Sequence, residues 1–394
     1  MTTAVVGGTL FTPDRKEKEG VVLFSGGKIL AAGSRKEIAI PQDARVLDAG
    51  GGYIVPGFVD IHVHGGMGAD VTEGSREVFE TMSRFFVRHG VTSFVASVLT
   101  VEDAVLLRVL ETARAVMKED DLPGARLLGI HLEGPWLNAA EAGAHPRHLL
   151  REPRPEHYLP LLEYADVIRM VTLAPELDGA AVLVKTLKEH GIVAAAGHTD
   201  AIDRQMMPVV AAGMTHSTHM FCNMSHFRRD DLKRVGGAVE TILNDDRITT
   251  ELIADGHHLG ETLMQLTVKV KGVDKVCFVT DAMPAAGMPD GIYHIGGVEA
   301  VVKEGAARLT DNSAYAGSVT TMDICVRNGV EKIGLTPAES VTMATATPAR
   351  IIGSNKENGS LGKGKRADIV FLNKNMEVMK TIVGGKEMEP LPTG

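Results

Sequence analysis

The segment Pro56-Gly57-Phe58-Val59-Asp60-Ile61-His62-Val63-His64 constrains the fold most, because it puts two imidazoles one residue apart at the end of an apolar run. Side chains at i and i+2 of a strand share a face, so both rings can reach one metal ion. Val59, Ile61 and Val63 mark a buried central strand, where unpaired imidazoles are costly. Metal ligation removes that cost. Four more polar signals follow in chain order: Glu133 in HLEGP, His198 in AAAGHTD, His219 in THMF and Asp281 in FVTDAM. Each closes or follows an apolar run. Together they predict a metal-dependent hydrolase with its chemistry at strand ends.

The chain between them alternates. Strand-like runs at residues 92–96, 127–131, 168–172, 192–196 and 276–280 are interleaved with helix-period apolar spacing, clearest over residues 101–119 and 179–190. A doubly wound sheet alternates similarly, but it does not bring polar residues from five or more strand ends to one point. The C-terminal mouth of a (β/α)8 TIM-like barrel does. Such a barrel needs about 250 residues, which leaves a smaller second unit in a chain of 394. The first fifty residues hold short strand-like runs, Ala4-Val5-Val6, Val21-Val22-Leu23-Phe24 and Lys28-Ile29-Leu30, between glycine turns. Two segments near the other end, at residues 367–372 and 378–383, have the same texture. The two chain ends are therefore expected to complete one small β-domain from residues 1–53 and 356–394, around a barrel at 54–355. Gly50-Gly51-Gly52 is the expected hinge.

The formal net charge of −9 and the absence of a long basic run exclude nucleic acid and an anionic membrane as expected partners. An anionic small substrate stays compatible, because the potential of a pocket is local. Cys222, Cys277 and Cys325 form no CxxC pair, which suits a reducing compartment, and Cys277 sits in an apolar run as a core residue. No apolar stretch approaches the roughly 20 residues of a membrane span, and the N-terminus lacks a basic start with an apolar h-region. A cytoplasmic, soluble protein is expected. There is no phosphate-cradling GxxxxGK[ST] and no dinucleotide fingerprint in its required context.

The strings HLEGPWLN, AGHTDA, THMFCNM, IADGHH, VTDAMPAAG and AGSVTTMD resemble the N-acetylglucosamine-6-phosphate deacetylase family of the amidohydrolase superfamily, from about Gly50 to the C-terminal segment. The resemblance implies a barrel beside a two-part β-sandwich. It implies hydrolysis of N-acetyl-D-glucosamine 6-phosphate to D-glucosamine 6-phosphate and acetate, in amino-sugar catabolism and cell-wall sugar recycling. It places Glu133, His198 and His219 as one ligand set and His62 with His64 as a second subsite bridged by Glu133. His219 is selected over His216, which is left as a supporting or structural residue. One or two divalent ions follow, zinc or iron by ligand type. Some family members carry glutamine in place of the second HxH histidine; His64 here leans toward two.

Asp281 is the expected general base, against a plain reading as a helix cap. His145 is expected near the substrate carbonyl. His258 matches a substrate-binding histidine, with His257 adjacent and unresolved from it. The loop with Cys222, Asn223, His226, Arg228 and Arg229 is the expected phosphate end, its histidine and arginines offering charge-assisted hydrogen bonds. In the resembled family an adjacent subunit of a homodimer contributes there. Cys222-Asn223 departs from the common Asn-Ala order and Arg229-Asp230-Asp231 from Arg-Glu-Pro, so the arginine register is open and a solvated charge cluster is the alternative. The competing functions are deacetylation of another N-acetylamino sugar, a cyclic amidase or deaminase, and a non-enzymatic sugar-phosphate binder on a degraded barrel.

Overall fold

Eight parallel strands form the barrel: Phe58–Val63, Val91–Val98, Arg126–Glu133, Ile168–Leu173, Val193–Ala196, His216–Ser217, Thr249–Ile253 and Val276–Val279. The computed structural model describes residues 1–11 and 16–388; the last part of the expected 356–394 segment, residues 389–394, lies outside the described residues. The first and eighth strands meet through Asp281 N–H, which donates to the His62 carbonyl at 2.9 Å, and through a parallel bridge between Val63 and Ala282. Parallel strands covered on both faces need apolar residues at nearly every position. The first strand accordingly is buried throughout. Val59, Ile61, Val95, Met170, Ala195, Cys277 and Val279 fill the barrel interior, while Phe94, Ile130 and Phe278 belong to the larger core beneath the outer helices. The helices expected over 101–119 and 179–190 are Asp103–Glu119 and Ala180–Glu189.

All five strand-like runs lie in barrel strands. Two strands escaped the sequence reading. His216–Ser217 is too short to show a period, and Thr249–Ile253 carries Thr249, Thr250 and Glu251, polar residues that hide its burial.

The small domain is a β-sandwich built from both ends of the chain. Thr3–Phe11, Lys16–Ser25, Lys28–Ser34, Arg45–Asp48 and Tyr53–Pro56 join Ile369–Leu372, Val378–Val383 and Lys386–Glu387 in one eight-stranded sheet. The seam is the antiparallel pairing of Ile369–Leu372 with Tyr53–Pro56, over a core that includes Val5, Leu10, Ile54, Ile369, Phe371 and Ile382. The expected hinge is displaced. Gly50-Gly51-Gly52 folds back on the first strand, Gly51 N–H donating to the Gly7 carbonyl at 2.6 Å, and one more sandwich strand follows. The crossing into the barrel comes at Gly57, where a Cβ would lie 2.1 Å from Thr92 Oγ1. Any larger residue there would collide with Thr92 on the second barrel strand.

Asp60 is a latch between the first and eighth strands. Thr280 Oγ1 donates to its Oδ2 at 2.6 Å, and the backbone N–H groups of His62 and Thr280 donate to its Oδ1 at 3.3 and 3.4 Å. Burial pushes its carboxyl up to about 7 despite these bonds. Among the described residues no helix is long and apolar enough to cross a membrane.

Candidate metal-dependent active site

His62 and His64 end the first barrel strand, Glu133 ends the third, His198 and His219 follow the fifth and sixth, and Asp281 follows the eighth. Barrel closure brings these strand ends together at the C-terminal mouth. Glu133 is the centre. Its Oε1 lies 2.9 Å from His219 Nε2 and 3.1 Å from His198 Nε2, and its Oε2 lies 3.3 Å from His64 Nε2. Two groups of potential ligands share it, His62 with His64 and His198 with His219. Asp281 Oδ1 is 3.2 Å from His64 Nε2 and 3.6 Å from His62 Nε2.

The ring orientations suit cation binding. His62 Nδ1 is 2.8 Å from Glu251 Oε2, and His198 Nδ1 is 2.8 Å from the Glu141 carbonyl oxygen. In the neutral rings Nδ1 carries the proton and the Nε2 lone pair faces the cleft. Those lone pairs converge with a buried carboxylate: His62 Nε2 is 3.2 Å from His64 Nε2, and His198 Nε2 is 3.2 Å from His219 Nε2. Lone pairs and negative charge facing one another in a dry site repel unless a positive charge sits among them. The donor set, imidazoles with a bridging carboxylate, fits divalent ions at two adjacent positions.

The same concentration of negative charge draws protons to these imidazoles wherever a cation does not compete for them. Burial disfavours charge on His62 and His64, yet the carboxylates of Glu251, Glu133 and Asp281 hold His62 well above the usual histidine value. Asp281 and Glu133 raise His64 to about 9. Burial likewise pushes the two carboxyls up, but the charge of His62 and contacts from the other imidazoles keep Glu133 well below, and Asp281 below, the ordinary carboxylate range. Asp281 is thus a carboxylate at neutral pH. It does not cap a helix: the next element is the strand Gly291–Ile295. Gly317 packs against it, with φ at +63° and a Cβ position 2.8 Å from the Asp281 carbonyl oxygen, as the small residues of AGSVTTMD require.

His145 differs from the other histidines. Burial pushes it down to about 4, against its contact with Glu133. Its Nδ1 accepts from Thr100 N–H at 3.2 Å, so the neutral ring carries its proton on Nε2. That atom is buried without a hydrogen-bond partner, 3.3 Å from Glu133 Oε2 but misaligned for a bond to it. It is a free donor on the wall of the cleft.

The cleft, about 380 Å³, is lined by His64, Glu133, His145, His198, His219 and Asp281 below, and by Cys222, Asn223, His226 and His258 above. The adjacent histidines separate here. His257 is exposed, whereas the His258 ring faces the cleft, held by Asp255 Oδ2 at 2.7 Å and lying 4.4 Å from the Tyr315 ring. Arg228 and Arg229 are not brought in. They lie on an exposed hairpin of Arg228–Asp230 and Lys233–Val235, where Arg228 pairs with Asp200 and Arg229 Nε donates to the Asp231 carbonyl at 2.6 Å.

Glu251 is the residue the sequence reading missed. It is fully buried beneath the cleft floor and touches His62, His216 and the backbone of His219. The available signal was a glutamate inside the otherwise closed run Thr249–Ile253. His216 proves to support the site through Glu251.

The sequence profile of the amidohydrolase family matches residues 53–388. An N-acetylglucosamine-6-phosphate deacetylase of Bacillus subtilis (strain 168) is 35% identical over 386 residues, covering 95% of this chain and 94% of that protein. An N-acetylgalactosamine-6-phosphate deacetylase of Escherichia coli O157:H7 is 34% identical, over 88% of this chain and 90% of its own. Among solved structures, an N-acetyl-D-glucosamine-6-phosphate deacetylase variant from Mycobacterium smegmatis, in complex with N-acetyl-D-glucosamine-6-phosphate, matches with a TM-score of 0.89 at 33% identity, covering 98% of this chain and 99% of that one. Fold, ligand clusters and these likenesses agree: the chain belongs to the amidohydrolase superfamily, close to its N-acetylamino-sugar-6-phosphate deacetylases.

Proposed function

We propose that the protein hydrolyses N-acetyl-D-glucosamine 6-phosphate to D-glucosamine 6-phosphate and acetate. The observation that carries this reading is the convergence on Glu133 of two histidine pairs, a carboxylate base and a free imidazole donor. Glu133, His198 and His219, with His62 and His64 at the second subsite, would hold a divalent ion, zinc or iron by ligand type, which would supply Lewis acidity and lower the pKa of the attacking water. Asp281 Oδ1 takes the proton of that water and later delivers it to the amine nitrogen as the C–N bond breaks. His145 Nε2–H donates to the acetyl oxygen as negative charge develops on it. His258, fixed by Asp255, presents its ring to the sugar. A degraded barrel that only binds would lack a ligand or the base; the two His/Glu clusters and Asp281 beside them support the enzymatic reading instead.

Acetate release from four compounds tests the reading: the 6-phosphates of N-acetylglucosamine and N-acetylgalactosamine, and the two unphosphorylated sugars. The expected result is the highest kcat/KM for N-acetylglucosamine 6-phosphate, with loss of the phosphate costing about 10–100-fold, the worth of a charged hydrogen bond. Equal efficiency without phosphate would sink the phosphate requirement. A preference for the galactosamine epimer would move the substrate to that sugar.

For the phosphate itself we infer a homodimer in which Arg228 or Arg229 reaches the partner's cleft. Support comes from the exposed position of both arginines outside their own cleft, and from Phe227 and Leu232 beside them, 66% and 72% exposed. Arg228→Ala and Arg229→Ala, measured separately, are expected to raise KM for the phosphorylated sugar in one case and leave kcat near native. Mixed dimers pairing that variant with Asp281→Asn report whether the contribution is made across the interface. Unchanged phosphate discrimination in both variants would return the loop to a solvated charge cluster.

A further inference from the structure

We propose that Glu251 is a positioning residue that builds the second cation subsite by fixing His62. The inference deepens the two-cation reading and rests on it. Glu251 stands on the seventh strand, Thr249–Ile253, with 0% of its surface exposed. A carboxylate there is tolerated only if donors fill its lone pairs, and three do. Its Oε2 accepts from His62 Nδ1–H at 2.8 Å and from the backbone N–H of His219 at 2.9 Å. Its Oε1 is 3.3 Å from His216 Nε2, while His216 Nδ1 meets the Thr249 hydroxyl at 2.7 Å.

The consequence is specific to one subsite. The bond from His62 leaves Nε2 as the atom facing His64 and Glu133, and it stops the ring from turning. Among the described residues no other side chain hydrogen-bonds His62 Nδ1. By contrast the ring of His198 is oriented by the Glu141 carbonyl, and Glu251 meets His219 only at its backbone. Loss of Glu251 should therefore release the His62–His64 subsite and spare the one formed by Glu133, His198 and His219. Carboxylates that orient a ligating imidazole are typically worth 10–100-fold in metal affinity.

The test titrates metal-free protein with Zn²⁺ against a chromophoric chelator, which resolves each binding step without reference to turnover. Wild-type protein is expected to show two steps. Glu251→Gln should keep both, because the amide oxygen can still accept from His62 and His219. Glu251→Ala should weaken the second step by about 10–100-fold with the first step near native. Glu251→Met, closer in volume, serves the same purpose should the alanine variant not fold. A single step in the wild type, a native second step in a folded Ala or Met variant, or equal loss of both steps would each overturn the proposal, the last by making Glu251 a general strut. Failure of the deacetylase reading would leave both steps intact and show only as missing acetate release.

Discussion

Asp281→Asn is expected to lower turnover by about 10²–10⁴-fold, the usual worth of a positioned general acid–base, while sugar-phosphate binding changes little. Positive charge beside Asp281 outweighs its burial and holds its carboxyl below the ordinary range, a role that a bound cation would share, so the carboxylate can accept the proton of the attacking water. Asparagine keeps the shape and loses that capacity. Since Asp281 Oδ1 also lies 3.2 Å from His64 Nε2, metal content must be measured beside kcat and KM, so that a lost cation is not mistaken for a lost base. Near-native turnover in a metal-replete Asp281→Asn protein would remove Asp281 from its role.

An effect at least comparable is expected from Glu133→Ala. Glu133 is the one ligand common to both clusters, so its removal should strip cation from both subsites. Activation of water by a cation supplies several kcal/mol of transition-state stabilisation, which corresponds to a loss on the order of 10³-fold or more. Chelation of the wild-type protein should reproduce that loss, and a divalent ion should restore it. His198→Ala and His64→Gln grade the effect: the first should remove the His198–His219 site, the second should leave that site filled. Full metal content and activity in Glu133→Ala would show the ligand assignment to be wrong.

Much of this site was legible because strand geometry is local. The period of two in Asp60-Ile61-His62-Val63-His64 puts both imidazoles on one face whatever the rest of the chain does, and apolar runs ending in Glu133, His198 and Asp281 mark strand ends in the same way. The alternation of strand and helix spacing carried the barrel, and the matching texture of the two chain ends carried the sandwich. These signals lie within a few residues of one another, so no knowledge of distant packing is needed to read them.

What the sequence by itself determined, then, is the architecture and the chemical type of the ligand set. Only the tertiary structure decided which groups face one another. Glu251 gains its meaning from His62, a partner 189 positions away in the chain, brought near only when the barrel closes. His216 sits in a two-residue strand that shows no period. His257 and His258 are chemically identical, and only the bond from His258 to Asp255 turns one ring toward the cleft. The crossing falls at Gly57 rather than Gly50-Gly51-Gly52 because Tyr53–Pro56 still pairs with Ile369–Leu372 in the sandwich. For Glu251 and His216 a contact between distant segments decides the outcome; for His258 the partner Asp255 is local, but the cleft its ring faces is assembled from the whole barrel, and local sequence carries no record of either.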